Sequence, residues 1–420
     1  MNSPTILIGF SSASLPLGEM PFVREWSASG LRAGLAFPPA ISSVAAWTSV
    51  MTGVGPAQHG IFDFYRRQAP QSQQLRVLAS RDLSCETIWA ALDRAGQKAT
   101  ILNYPMTFPA PKMEGHVMPG SWVSAKRLKL GCYPSGLYAE LGALDGVDLN
   151  NPAAEPLLRM LLYLMEKDRS DLSVVLIRDK GPLDFAAIDR QIEHVVSAAG
   201  PDATVLLISE PNADNVSING WLAEHGYLTW AASANGSAAD GKVLETADLN
   251  RQAALIDWTK TQAWCPPCGG NGIFIVSETP NFRTRLMEEL SSAEGLSRVW
   301  KQEELYPGPF QELAPDLVVE LSGITEGILL AAGPAIQRGA PFTRIPLSSV
   351  TPILLYTLGL QMPGEIEGCV PAEVLNPDWL AAHPLLSAGS NSNREADKPL
   401  IDPAAEEEIL QRLRGLGYIE

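Results

Sequence analysis

Of 420 residues, 46% are hydrophobic and 19% charged, a balance that suits one soluble domain with a large core. The net charge of −16 argues against a nucleic-acid backbone as partner, because phosphate recognition of that kind needs clustered Lys and Arg. No apolar run reaches membrane-spanning length and no charged stretch precedes an apolar signal segment, so the chain is read as cytoplasmic, without a membrane partner.

In chain order, short apolar runs without polar alternation fall at Thr5 to Phe10, Lys98 to Asn103, Leu172 to Ile177, Ala203 to Ser209, Gly272 to Val276, Asp316 to Leu321 and Gly327 to Ala332. Such runs suit strands covered on both faces. Helical patterns lie between them at Cys85 to Ala95, Asp184 to Ala199, Ser217 to His225, Phe282 to Ser292 and Val350 to Leu358. The alternation predicts an α/β fold, a three-layer α/β/α sandwich around a largely parallel central sheet. That domain is expected to span residues 1–384. Residues 385–402 read as a polar linker and 403–420 as a C-terminal helical tail, with a short helix from Pro403 to Leu413.

Five scattered cysteines give no disulfide framework. Cys265-Pro-Pro-Cys268 has redox spacing, but a redox pair opens a helix, whereas Gly269-Gly270-Asn271-Gly272 follows here. The segment is read as a turn with two neighbouring thiols.

The most informative stretch runs from Phe37 to Phe64, FPPAISSVAAWTSVMTGVGPAQHGIFDF. It resembles the nucleophile segment of the alkaline phosphatase superfamily, in its type I phosphodiesterase and nucleotide pyrophosphatase branch. Further pieces match in order: Ile6 to Phe10, Val205 to Leu228, Trp258 to Ile275, Gly327 to Gly339 and Leu354 to Gly368. The resemblance implies an open sheet with the site at the carboxyl ends of its strands. It also places Ser43 at the nucleophile and implies two metal ions beside it, held by Asp and His ligands.

Position by position, the implied ligands are replaced. Ser11 stands where the first-strand Asp belongs, and Ser209-Glu210-Pro211-Asn212 stands in place of Ser-Asp-His-Gly. Ile177-Arg178-Asp179-Lys180-Gly181-Pro182 lacks the Asp and His of the next ligand segment, and Ser322-Gly323-Ile324-Thr325 holds no histidine. The five histidines, His59, His116, His194, His225 and His383, fall off every ligand position and are read as structural or solvated. No zinc pair and no other cofactor is therefore expected. A hard-cation site from Glu210, Asp179 and Asp184 is weighed against solvated strand-end acids, with Asp184 read as a helix first-turn residue.

What remains is a polar set at the start of a helix. Ser42 and Ser43 open the helix containing Ala45 to Met51, where backbone N–H groups and the helix dipole favour an anion, and Arg178 adds charge. The candidate ligand-binding set is Ser11, Ser42, Ser43, Arg178 and Glu210, with Ser43 also the candidate nucleophile. The bland alternative makes Ser43 a helix cap. Two functions follow as expectations. One is a degenerate family member that binds a phosphate-, sulfate- or nucleotide-like molecule or a protein partner without two-metal hydrolysis. The other is a phosphoester hydrolase or transferase, or a repurposed metal-independent enzyme, using Ser43, for which no base or His-Asp partner can be placed from sequence.

Overall fold

A computed structural model describes residues 3–11, 15–67, 75–120, 125–149, 152–178, 183–211, 216–231, 254–266, 271–277, 279–323, 326–339 and 342–385. The linker and tail expected at 385–402 and 403–420 lie outside these, apart from Leu385. In chain order the strands are β1 (Thr5–Ser11), β2 (Leu31–Ala36), β3 (Tyr65–Arg67), β4 (Leu75–Val77), β5 (Ala99–Tyr104), β6 (Gly115–Pro119), β7 (Leu172–Arg178), β8 (Thr204–Ser209), β9 (Ala263–Trp264), β10 (Gly272–Ile275), β11 (Leu296–Lys301), β12 (Leu317–Leu321), β13 (Gly327–Ala332) and β14 (Thr343–Pro346).

The central sheet has eight strands in the order β14-β2-β13-β8-β1-β7-β5-β6. β1 lies between β7 and β8, parallel to both. β13 runs antiparallel to β8 and β2 and is the exception in an otherwise parallel sheet. Every residue of β1 and β8 is buried, as continuous apolar strands covered on both faces require. Leu7, Val174, Leu176, Leu206 and Ile208 enter the core on one face, with Trp47 and the helix Val350–Thr357. Ile6, Ile8, Phe10, Val175, Ile177 and Leu207 enter the other, with the helices Ala154–Lys167 and Phe185–Ala199. The α/β/α sandwich thus stands.

The strands expected at Gly272 and Asp316 do not join that sheet. β10 and β12 belong to a second, antiparallel sheet ordered β11-β12-β10-β9, with its own core of Leu222, Trp264, Ile273, Phe282 and Leu286. A short apolar run carries no record of strand direction, so parallel and antiparallel burial look alike in sequence. β2, β6 and β14 were not expected, nor were the helices Pro21–Ala28 and Ala154–Lys167. The latter is amphipathic, burying Leu157, Leu158, Leu161 and Leu164.

The helix Ser43–Thr52 packs across the carboxyl half of β1. Ser42 caps it, its Oγ accepting from the Ala45 amide at 3.2 Å, and Gly53 ends it at φ 73°, a left-handed turn that glycine adopts without strain. All its residues from Val44 to Thr52 are buried, because the sheet lies on one side and Thr351 on another bonds to the Val50 carbonyl at 2.7 Å. Gly9 makes the close approach possible: a Cβ there would stand 2.5 Å from the Trp47 ring. Tyr104 fastens the helix from β5, donating to the Trp47 carbonyl at 2.7 Å.

Candidate functional site

Side-chain alternation brings the strand ends together. On β1, Leu7 faces the Ser43 helix and so does Ser11, four residues on; Leu206 and Ile208 of β8 set the same parity for Glu210, and Val174 and Leu176 of β7 for Arg178. Glu210 follows the last residue of β8, where its amide still donates to the Phe10 carbonyl at 3.0 Å. Ser11 and Arg178 are direct partners in the parallel ladder. Arg178 is half-buried at that edge.

Three of these residues meet. Ser43 Oγ donates to Glu210 Oε1 at 2.5 Å, and Ser11 Oγ lies 2.7 Å from Ser43 Oγ. Since the Ser43 proton is committed to the carboxylate, Ser11 is the donor in the second bond. The result is a relay from Ser11 to Ser43 to Glu210. Ser11 is 2% exposed and Glu210 7%, while Ser43 between them is partly exposed, so both bonds are part-buried. The short distance to Glu210 is that of a charge-assisted O–H···O bond. Tyr104 is near enough that the Glu210 charge adds to burial in pushing its hydroxyl pKa well up.

The two adjacent serines divide their roles. The cap is Ser42 and not Ser43: besides accepting from Ala45, Ser42 Oγ donates to the Phe62 carbonyl at 2.6 Å, which ties the helix start to the Gly60–Phe62 turn. Its hydroxyl is thus engaged by the fold as both donor and acceptor. The partner of Ser43 that could not be placed from sequence is Glu210. A carboxylate following a strand at the sheet edge was the available signal, because β1 and β8 are neighbours and the Ser43 helix packs over β1.

Asp184 does not join the cluster. Asp184 Oδ1 accepts from the Ala187 amide at 2.9 Å and caps the helix Phe185–Ala199, so its carboxylate is used there. Asp179 lies outside the described residues, as does Cys268. His59 is fully buried, with Ser49 on Nε2 at 3.1 Å and the Ile61 amide donating to Nδ1 at 3.1 Å. Burial lowers its pKa to about 3, the state of a neutral core histidine. Burial likewise pushes the Cys265 thiol up to about 12, the reverse of what a reactive thiol needs.

A pair of metal ions requires several anionic or imidazole donors around each. The cluster supplies one carboxylate and two hydroxyls already bonded to one another, and Pro211 has no side-chain donor. Among the described residues no group of three or more His, Cys, Asp and Glu side chains converges. Among the described residues the donor set does not fit a two-metal centre. Nor is any helix among the described residues long and apolar enough to cross a membrane.

Comparison with known proteins agrees with this architecture. Phosphonoacetate hydrolase from Sinorhizobium meliloti 1021, solved with phosphonoacetate, superposes with a TM-score of 0.59 at 14% identity, over 85% of this chain and 95% of that one. An inactive form of murine ectonucleotide pyrophosphatase/phosphodiesterase 5 in complex with AMP gives 0.54 at 12% identity, over 86% and 96%. The human ectonucleotide pyrophosphatase/phosphodiesterase 5 gives 0.53 at 13% identity, over 86% and 96%. No curated protein matches the chain. At these identities the solved structures speak for the fold. The family model for type I phosphodiesterase / nucleotide pyrophosphatase, however, matches residues 9–321, a span that holds the carboxyl end of β1, the Ser43 helix, β8 and the second sheet together. With most of its length matched, and with Ser43 at the head of a helix over the sheet edge, the chain belongs to the type I phosphodiesterase/nucleotide pyrophosphatase family.

Proposed function

We propose that this chain is a degenerate member of its family, which binds a small phosphoryl-bearing molecule at the strand ends without two-metal hydrolysis. The observation that carries the reading is the Ser11–Ser43–Glu210 relay, which satisfies the nucleophile hydroxyl from within the protein. The ligand class follows from charge. Glu210 already places one negative charge at the helix start, so a singly charged phosphodiester meets less repulsion there than a dianionic monoester. Arg178, on the same face, opposes that repulsion. Among solved relatives of the fold, one binds phosphonoacetate and another AMP, which supports a phosphoryl ligand of modest size.

A second reading is favoured by the 2.5 Å bond alone: Glu210 accepts the Ser43 proton while Ser43 attacks the substrate. A carboxylate is a weak base for an alcohol, which ranks this reading second. Incubation with an aryl phosphodiester, with and without added zinc or manganese, separates the two. The binding reading expects phosphodiester binding by calorimetry and no turnover beyond that of Ser43→Ala. Turnover that Ser43→Ala and Glu210→Gln both abolish would overturn it in favour of the enzyme.

A further inference from the structure

The segment that carries Ser43 continues into a second polar feature, outside the relay. Asp63 is 8% exposed, with Oδ1 accepting from the Phe64 amide at 2.7 Å and Oδ2 from the Tyr65 hydroxyl at 3.1 Å. Arg66 and Arg67 follow on β3, whose antiparallel partner is β4. The register sets Arg66 directly opposite Arg76, and like charges so placed destabilise a strand pair. Arg76 is matched by Asp82 at 2.7 Å. Arg66 instead donates to the Gly60 carbonyl at 2.8 Å, and the Arg67 side chain, 10% exposed, lies over the Phe274 ring at 4.3 Å with Asp316 at 3.9 Å.

Asp63, Tyr65, Arg66, Arg67 and Phe274 line a cavity of about 40 Å³ between the sandwich and the second sheet, with Ser42, Asn271 and Tyr306 also on its wall. At roughly 10–15 Å³ for each water-sized centre, it holds about three heavy atoms. That is the size of a carboxylate group and less than a phosphate. Burial lowers the pKa of both arginines, so their charge is held at a cost that an anion in the cavity would relieve.

We propose that this cavity binds the carboxylate group of a small organic acid through the Arg66 and Arg67 guanidinium groups, as a site separate from the Ser43 relay. The inference does not depend on what Ser43 does. Guanidinium forks match a carboxylate with paired N–H donors, and here two adjacent, partly buried arginines meet at one wall with Asp316 as far as 3.9 Å from Arg67. Asp63 stands on the same wall and would repel the guest if ionised. Burial raises its carboxyl to about 7, so that repulsion weakens as pH falls through neutrality. The other ionisable groups on this wall or in contact with it are Tyr65, Tyr306 and Asp316, while Arg76 and its partner Asp82 act on Arg66 from β4 and the turn beyond it.

Calorimetric titration with succinate at pH 6 tests this on the full chain. Wild type is expected to bind, with Arg66→Gln and Arg67→Gln each weakening binding at least about tenfold, the scale of a lost bidentate ion pair. Ser43→Ala should leave succinate affinity within about twofold, because the relay is not part of the cavity wall. Should either glutamine variant melt early, Arg66→Lys and Arg67→Lys keep the charge but remove the fork, and weaker binding in both supports the site. Binding unchanged in the arginine variants, loss in Ser43→Ala, or no heat in wild type up to about 10 mM succinate would each overturn it. Displacement of succinate by inorganic phosphate at lower concentration would overturn the carboxylate assignment.

Discussion

Glu210→Gln separates the binding and catalytic readings in one substitution. The glutamine keeps an acceptor for the Ser43 hydroxyl, which now stands 2.5 Å from Glu210 Oε1, and removes the negative charge from the start of the Ser43 helix. A phosphate oxygen accepting from Ser43 would place its charge about 5 Å from that of Glu210, and at an effective dielectric of about 20 the repulsion is about 3 kcal/mol. Solvent at the strand-end opening and salt reduce this, and about half of it survives, enough for a tenfold change in affinity. Stability should change by about 1 kcal/mol or less, since the weaker neutral hydrogen bond is offset by no longer burying a charge. Calorimetric titration with inorganic phosphate at low ionic strength reads the effect. Affinity is expected to rise at least about tenfold over wild type and to fall as salt is added. Equal or weaker binding by Glu210→Gln would refute the reasoning, because it would mean that the carboxylate assists the anion, as it would by holding a cation between them.

Ser11→Asp should not create phosphodiesterase activity and should destabilise the fold by about 1–3 kcal/mol at neutral pH, since it sets a second buried carboxylate beside the Ser43–Glu210 pair; aryl-diester turnover and a denaturant midpoint check both halves. Purified protein dialysed against zinc should retain no stoichiometric metal, and elemental analysis finding two ions per chain would contradict the donor set. Gly9→Ala should cost about 1–3 kcal/mol or more, because the new Cβ meets the Trp47 ring at 2.5 Å, and thermal unfolding measures it. His59, held at a pKa of about 3 by burial, stays neutral in the fold but protonates in the unfolded chain below about 6.5, so stability should fall between those values as pH drops, and His59→Gln should flatten that acid limb of the denaturation profile.

The fold was legible because its strands are buried on both faces: β1, β7, β8 and β13 are continuous apolar runs, and helices such as Phe185–Ala199 carry a cap and an amphipathic stripe. β14 was not, since Thr343–Pro346 is four residues long and mostly polar, and it joins the sheet only through a partner three hundred residues away in sequence, around Ala33. The second sheet failed for another reason. β10 and β12 look like central strands, and nothing in two short apolar runs separated by a helix and β11 shows that they pair antiparallel. At the site, Ser43, Ser11 and Glu210 were individually visible as strand-end and helix-start residues. Their mutual contact was not, because it depends on the neighbour relation of β1 and β8 and on the height at which the Ser43 helix crosses them.

Ser42 and Ser43 show why a preserved motif is poor evidence of a preserved reaction. Ser42 is held by helix capping and by the Phe62 carbonyl, requirements that persist whatever the site does. Trp47 and Gly9 are likewise bound to each other by packing, and Tyr104 by its bond to the helix. Much of the Phe37–Phe64 resemblance is therefore explained by the architecture of one helix laid on one sheet edge. Ser43 is different. Its hydroxyl caps nothing and fills no core, and a helix start would be as well formed with alanine at that first position. What the hydroxyl does is join Ser11 to Glu210, and both of those residues replace the groups that the family resemblance implies as metal ligands. Ser43 in contact with Ser11 and Glu210, on a face shared with Arg178, makes a polar cluster whose chemistry has to be read from that set and not from the motif.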